Sequence, residues 1–141
     1  MKVVSIAHTH NESEVSLPLY TASISAGFPS PAENHIDKKI DLNVELIKHP
    51  AATFFVRVEG DSMIGAGIQS NDILIVDRSI EPRSGKIVVA IVSGEFTVKK
   101  LIKKDENLFL VPENPKYPTL LITKEMEFSI WGVVTYAIHS L

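Results

Sequence analysis

The chain has 141 residues, which predicts one domain with a core large enough to need no disulfide or metal support. It contains no cysteine, which excludes a cysteine nucleophile, an iron–sulfur cluster, a thiolate zinc site and a disulfide scaffold. A net charge of −3 offers no positive surface to phosphate backbones, so direct sequence-specific DNA binding is not expected. Because the chain shows neither a signal peptide nor an apolar run of membrane-spanning length, we expect a cytoplasmic protein without membrane contact.

The first part of the chain, residues 1–34, predicts a flexible N-terminal arm. It has no sustained helical or strand period. Its last part, residues 25–32 (SAGFPSPA), combines small residues with prolines that prevent regular backbone hydrogen bonding. From residue 35 onward the sequence is that of a folded domain, so we place the boundary between an arm (1–34) and a β-rich domain (35–141).

The remaining elements are one short helix and several strands. Asp41 can cap a helix that continues to Lys48 and ends before Pro50. The predicted strands are short, rich in β-branched and aromatic residues and separated by turns: residues 53–58, 72–76, 86–92, 95–102, 108–111 and 130–138. Ser93-Gly94 predicts a tight hairpin turn, and Gly132 indicates a bulge or a close approach. The fold class is therefore mainly β, with short antiparallel strands.

Metal and cofactor sites find no support in the sequence. The five histidines are scattered and have no partner at the spacing of metal ligands, which is typical of surface residues. The chain also lacks the glycine-rich motifs that bind nucleotide phosphates. We therefore predict no metal and no cofactor.

The segment VEGDSMI, residues 58–64, is the best candidate for chemistry. It places Ser62 where a predicted strand turns into a loop, so its hydroxyl can be exposed beside backbone N–H groups. The alternative is a simple turn in which Asp61 or Ser62 caps one helical turn. A serine nucleophile needs a base, and no histidine lies near a recognisable acid partner. A lysine can replace it where desolvation lowers its pKa from about 10.4.

Two lysines on the predicted strand 95–102 could be that base. Simple alternation puts Lys100 on the same face as Phe96 and Val98, whereas Lys99 shares a face with Thr97. The period alone therefore favours Lys100 as the lysine that faces apolar surroundings.

Several motifs together carry a family resemblance. GDSM (60–63), residues 85–91 and GEFTVKKL (94–101) resemble the self-cleaving serine–lysine proteases of the LexA repressor group. Within that group, AGFPSPA (26–32) and IDLN (40–43) are similar to the UmuD family, accessory subunits of bacterial error-prone polymerases. The resemblance implies a LexA- and signal-peptidase-like β domain with Ser62 as nucleophile and Lys99 as base. It also implies that the bond between Ala26 and Gly27 is cut.

The same resemblance implies a biological role in the SOS response to DNA damage. A RecA filament on single-stranded DNA would stimulate the cut, and the truncated homodimer would join the catalytic subunit of an error-prone translesion polymerase. Only 26 residues precede the implied cut, too few for a helix-turn-helix domain, which favours a polymerase subunit over a repressor. Two alternatives stay open: a non-catalytic interaction module with a relic Ser/Lys pair, and a peptidase that acts on other proteins.

Overall fold

The computed structural model describes residues 1–9, 16–20 and 36–141. These residues belong to two compact units, one formed by Met1–Thr9 and His49–Leu141 and the other by His10–Lys48. The elements in chain order are β1 (Lys2–His8), β2 (Ser16–Tyr20), β3 (Ile36–Asp41), α1 (Leu42–Leu46), β4 (Thr53–Glu59), β5 (Ile73–Asp77), β6 (Ile87–Val92), β7 (Glu95–Lys104), β8 (Asn107–Val111), β9 (Leu120–Leu121) and β10 (Phe128–Ile138). Short 3-10 turns cover Pro50–Ala52 and Ile64–Ala66.

The larger unit is one antiparallel sheet with the strand order β1-β4-β5-β10-β6-β7-β8-β9. An additional pairing joins β1 to β7 through Lys2 and Thr97, so the sheet curves back on itself in a barrel-like closure. The mainly β, antiparallel fold predicted from the sequence is therefore confirmed. All six predicted strands are present, with ends that differ by one or two residues.

Two groups of buried side chains line the curved sheet. One contains Met63, Leu74 and Val98, and the other contains Leu101 and Leu110. Val98 and Leu101 belong to the same strand, β7, so both faces of this strand carry buried residues. The strand preference of the β-branched Val98 and its complete burial act together here.

Local turn chemistry follows the sequence closely. Ser93 and Gly94 have φ values of 49° and 81°, and two positive φ values are what a tight type I′ hairpin requires between β6 and β7. The register of β10 shifts between Ile130 and Gly132, which is a bulge. A Cβ atom at Gly132 would lie 2.6 Å from Val76 Cγ1, so this position also needs the close approach that the sequence indicated.

The N-terminal residues differ from the prediction. Residues 2–8, which the sequence assigned to the arm, form β1 and pair with β4 from Lys2↔Glu59 to His8↔Phe54. Strand β1 is mostly exposed, because it is held by backbone pairing rather than by burial of its side chains. Its sequence therefore shows no alternation of apolar and polar residues. The rest of the predicted arm lies partly outside the described residues.

The smaller unit contains a two-stranded sheet of β2 and β3, followed by α1. Asp41 caps α1 as predicted, since its Oδ1 accepts a 2.9 Å hydrogen bond from Asn43 N. The helix ends at Leu46 instead of Lys48, because the backbone of Ile47 is already extended, with φ of −114° and ψ of 98°. In the part of the chain that the structure describes, no helix combines the length and the hydropathy needed to cross a membrane.

Candidate active site

The loop that bears Ser62 is built residue by residue from the GDSM segment. Strand β4 ends at Glu59, and Gly60 turns the chain with a φ of +107°, a conformation that a side chain would strain. The side chain of Met63 is completely buried in the core and holds the loop against it. Ser62, between them, is buried to 2% exposure, and its Oγ points into a shared polar site.

Two amines contact the Ser62 hydroxyl. Lys99 Nζ donates a hydrogen bond of 3.1 Å to Ser62 Oγ, across 37 residues of sequence. The N-terminal amine of Met1 donates a second hydrogen bond, of 2.7 Å, to the same oxygen. A serine hydroxyl within hydrogen-bond reach of an amine is the geometry that proton transfer to a base requires.

Lys99 lies on β7 and is half-buried. Its Nζ also donates to Thr97 Oγ1 and to Val98 O, both at 3.1 Å, so the ammonium group has three acceptors. Burial lowers the pKa of Lys99 below its ordinary value, and the hydrogen bond with the Met1 amine raises it in part. A lowered pKa increases the neutral fraction of the amine, which is the form that accepts a proton.

Lys100 serves a different contact. Its Nζ donates a 2.9 Å hydrogen bond to Glu113 Oε1 and forms an ion pair there. The structure therefore places Lys99, and not Lys100, beside Ser62, as the family resemblance implied. Alternation favoured Lys100, whereas the lysine that contacts Ser62 is Lys99. Because the sheet closes on itself and β7 has buried residues on both faces, an apolar face does not identify the lysine near Ser62.

Met1 is integrated into this site. Its carbonyl accepts hydrogen bonds from Val98 N (3.1 Å) and from Thr97 Oγ1 (3.3 Å), and the residue is 8% exposed. Burial, followed by the hydrogen bond with Lys99, lowers the pKa of the Met1 amine to about 5. This amine is therefore neutral near pH 7, and it occupies space directly beside the Ser62 hydroxyl.

A second loop, residues 113–117, contacts the Ser62 loop from one side. Asn114 Nδ2 donates to Asp61 O (2.9 Å), and Tyr117 OH donates to Asp61 Oδ1. Glu113 N donates to Ser62 O (2.9 Å), while Gly65 N donates to Glu113 O (2.8 Å). Within the described residues, no acceptor contacts the N–H of Ser62 or of Met63. Free backbone N–H groups beside a nucleophile can stabilise a developing oxyanion.

The predicted site residues have different outcomes. Ser62 and Lys99 lie together, whereas Ala26 and Gly27 lie outside the described residues. Strand alternation already placed Thr97 on the face of Lys99. Met1 and the 113–117 loop were not predicted, because their contacts with Ser62 join distant parts of the chain. Asn114-Pro115 is a turn signal, yet nothing local reveals that this turn contacts the serine loop.

The histidines of the larger unit take part in pairwise contacts. His49 Nδ1 lies 2.5 Å from Asp77 Oδ2, and His139 Nδ1 lies 2.7 Å from Asp72 Oδ1. Among residues 1–9, 16–20 and 36–141, no group of three or more potential ligands is close enough to hold a metal ion.

Comparison with known proteins places this site in a family. The family model for peptidase S24-like proteins matches residues 18–135. The chain is 49% identical to Protein SamA of Salmonella typhimurium, over 86% of this chain and 84% of that protein, and 43% identical to Protein MucA of Escherichia coli, over 87% and 84%. It is 34% identical to the LexA repressor of Bordetella avium, over 90% of this chain and 61% of that longer protein. These matches support the self-cleaving serine protease kind of activity predicted from the sequence, and the chain belongs to the peptidase S24-like family.

Proposed function

We propose that this protein is a self-cleaving serine protease of the SOS response that uses Ser62 and Lys99 to cut the bond between Ala26 and Gly27. The observation that carries the proposal is the 3.1 Å hydrogen bond between Lys99 Nζ and Ser62 Oγ in a largely buried site. Burial favours the neutral form of Lys99, because it lowers the pKa of this amine.

In the proposed reaction, neutral Lys99 takes the proton from Ser62 Oγ, and the resulting alkoxide attacks the carbonyl carbon of Ala26. The free N–H groups of Ser62 and Met63 stabilise the oxyanion that develops, a contribution of typically about 2.7–4 kcal/mol for one donor. Protonated Lys99 then gives its proton to the leaving amine of Gly27. Water hydrolyses the acyl-enzyme and releases Ser62.

The Met1 amine affects when this reaction can begin. It lies 2.7 Å from Ser62 Oγ, and a reacting carbonyl carbon must come to within about 3–3.5 Å of the same oxygen. We therefore propose that Met1 leaves this position before the Ala26 carbonyl enters.

The proposed partners follow from the family resemblance. A RecA filament on single-stranded DNA would stimulate the cut, and the truncated homodimer would join the catalytic subunit of an error-prone translesion polymerase. The cytoplasm, where these partners act, is the proposed location. A partner that stabilises a cleavage-competent state populated to about 1% can accelerate cleavage by up to about a hundredfold.

The test is mass spectrometry of the purified protein after incubation at pH 7 and pH 10. We expect a fragment that begins at Gly27 and forms faster at pH 10, because a larger fraction of Lys99 is neutral there. The fragment is absent from Ser62→Ala and Lys99→Ala. The matched controls, Ser129→Ala and Lys103→Ala, replace exposed residues of the same types and cleave at the wild-type rate.

Addition of a RecA filament at pH 7 tests the proposed stimulation. A chain that stays intact at both pH values and with the filament contradicts the protease and leaves the non-catalytic interaction module. A fragment that also forms in Ser62→Ala contradicts the assignment of the nucleophile.

A further inference from the structure

We propose that Asn114 is a positioning residue for the self-cleavage reaction, because it orients the backbone N–H groups that would bind the oxyanion. The inference rests on the proposed function and adds a residue to it. It is carried by the contacts that the 113–117 loop makes on the two peptide groups around Ser62.

The first step concerns the peptide group that joins Asp61 to Ser62. Its carbonyl oxygen accepts a 2.9 Å hydrogen bond from Asn114 Nδ2 and a longer one, of 3.3 Å, from Ile64 N. In a trans peptide the C=O and N–H bonds point in opposite directions. A fixed Asp61 carbonyl therefore fixes the Ser62 N–H on the opposite side of the same plane.

The second step concerns the next peptide group, from Ser62 to Met63. Its carbonyl oxygen accepts a 2.9 Å hydrogen bond from Glu113 N, the residue directly before Asn114. The same geometry then fixes the Met63 N–H. Consecutive residues of one loop thus orient both N–H groups that have no acceptor among the described residues.

The third step concerns the rigidity of Asn114 itself. Asn114 Oδ1 accepts from Lys116 N (3.0 Å), and Asn114 O accepts from Tyr117 N (3.1 Å), which together form a tight turn with Pro115 at its second position. Tyr117 then returns to the serine loop and donates to Asp61 Oδ1. Because both ends of the Asn114 side chain have a partner, its rotation is restricted before substrate arrives. Such preorganised donors lose little energy in reorganisation during the reaction.

The test uses Asn114→Asp, which keeps the Oδ1 acceptor for Lys116 N and loses the Nδ2 donor to Asp61 O. On the high-pH plateau of the pH–rate profile, where Lys99 is neutral, we expect Asn114→Asp to cleave 10- to 100-fold more slowly than the wild type. The added charge acts on Lys99 through space and shifts the midpoint of the profile slightly, whereas an effect through the base alone would shift the midpoint and leave the plateau rate unchanged. The matched control is Asn107→Asp, which adds the same charge at an exposed position and should cleave at the wild-type rate.

A second measurement does not depend on cleavage. Nitrogen-15 relaxation of the Ser62 and Met63 amides should indicate a rigid backbone in the wild type and exchange broadening in Asn114→Asp. If Asn114→Asp does not fold, Tyr117→Phe replaces an exposed side chain, removes the contact with Asp61 and should slow cleavage by three- to tenfold.

The outcomes separate this inference from the proposed function. A wild type that never cleaves overturns the proposed function, and the relaxation data then decide the positioning role alone. Unchanged relaxation together with an unchanged rate in Asn114→Asp overturns the inference. A shifted midpoint of the pH–rate profile with an unchanged plateau rate also overturns it, since the substitution would then act through the base alone.

Discussion

Gly65→Ala tests how closely the serine loop and the 113–117 loop must approach each other. A Cβ atom at this position would lie 2.6 Å from the Glu113 carbonyl oxygen, whereas ordinary contact begins at 3.4 Å. Both groups belong to the backbone, so the two loops must separate by about 0.8 Å. The hydrogen bond from Gly65 N to Glu113 O, 2.8 Å long, would stretch or break.

The size of the effect follows from this displacement. Overpacking of a closely packed site typically costs about 1–3 kcal/mol of stability. Replacing glycine by alanine also lowers the conformational entropy of the unfolded chain, which offsets about 0.4–1 kcal/mol of this cost. For a domain of this size we expect the melting temperature to fall by about 2–8 °C. A catalytic group displaced by nearly 1 Å loses up to about a hundredfold in rate, so self-cleavage should slow by about 10- to 100-fold.

The assay combines thermal unfolding by circular dichroism with the first-order rate of fragment formation at pH 10. Gly67→Ala is the control, because its Cβ would meet nothing within 4 Å and its φ of +82° imposes backbone strain alone. We expect this control to lose about 1 kcal/mol of stability and to keep its cleavage rate within about threefold. If Gly65→Ala retains the wild-type rate, or if both variants slow equally, the close approach of the two loops does not control the site.

Three further predictions concern single side chains. Lys100→Ala breaks a partly exposed ion pair with Glu113 and should cost at most about 1 kcal/mol and less than tenfold in rate, whereas loss of all cleavage would restore Lys100 as a candidate base. The pKa of Lys99 is lower in the folded than in the unfolded chain, so the unfolded chain binds more protons between the folded pKa and about 10.4. Over this pH window the free energy of unfolding of the wild type should therefore rise relative to that of Lys99→Met. Above the window the difference should level off. Urea titrations at several pH values measure it, and a falling difference would refute it. Burial raises the pKa of Asp77, but hydrogen bonds from Ser79 and His49 outweigh this effect and leave the pKa lowered. Asp77 therefore stabilises the fold at pH values above its unfolded pKa, and this stabilisation is lost as the pH falls through the folded pKa. Asp77→Asn should therefore lower stability at neutral pH and flatten the acid limb of the stability curve, and an unchanged acid limb would contradict the role of this carboxylate.

The strands that the sequence predicted are those with dense β-branched residues and clear turns. Ser93-Gly94 is an example, because two residues with positive φ specify a hairpin locally. Strand β1 was not predicted, since an exposed strand held by backbone pairing has no hydrophobic period. The local sequence pattern thus identifies strands that bury their own side chains, and it misses a strand that is held by hydrogen bonds to a neighbouring strand.

The candidate site divides in the same way. The GDSM segment indicated Ser62 because it follows a predicted strand and begins a loop. The choice of Lys99 depended on the family resemblance, since alternation cannot show which face of a strand with buried residues on both sides lies against Ser62. The contacts of Asn114 and Met1 with the serine loop arise only from the closure of the sheet and from long-range loop packing.

The closure of the sheet also leads us to expect local opening at one joint of the larger unit. The joint between β1 and β7 contains a single register pair, Lys2↔Thr97, whereas β1 and β4 share six. Proteins open locally where few hydrogen bonds must break together, and amide hydrogen exchange reports such openings. The Val98 amide, which donates across this joint to Met1 O, should therefore exchange faster than the amides between β6 and β7. Because Lys99 follows Val98 directly in the chain, we expect this local opening to begin beside Ser62 and Lys99 and to leave the rest of the sheet folded.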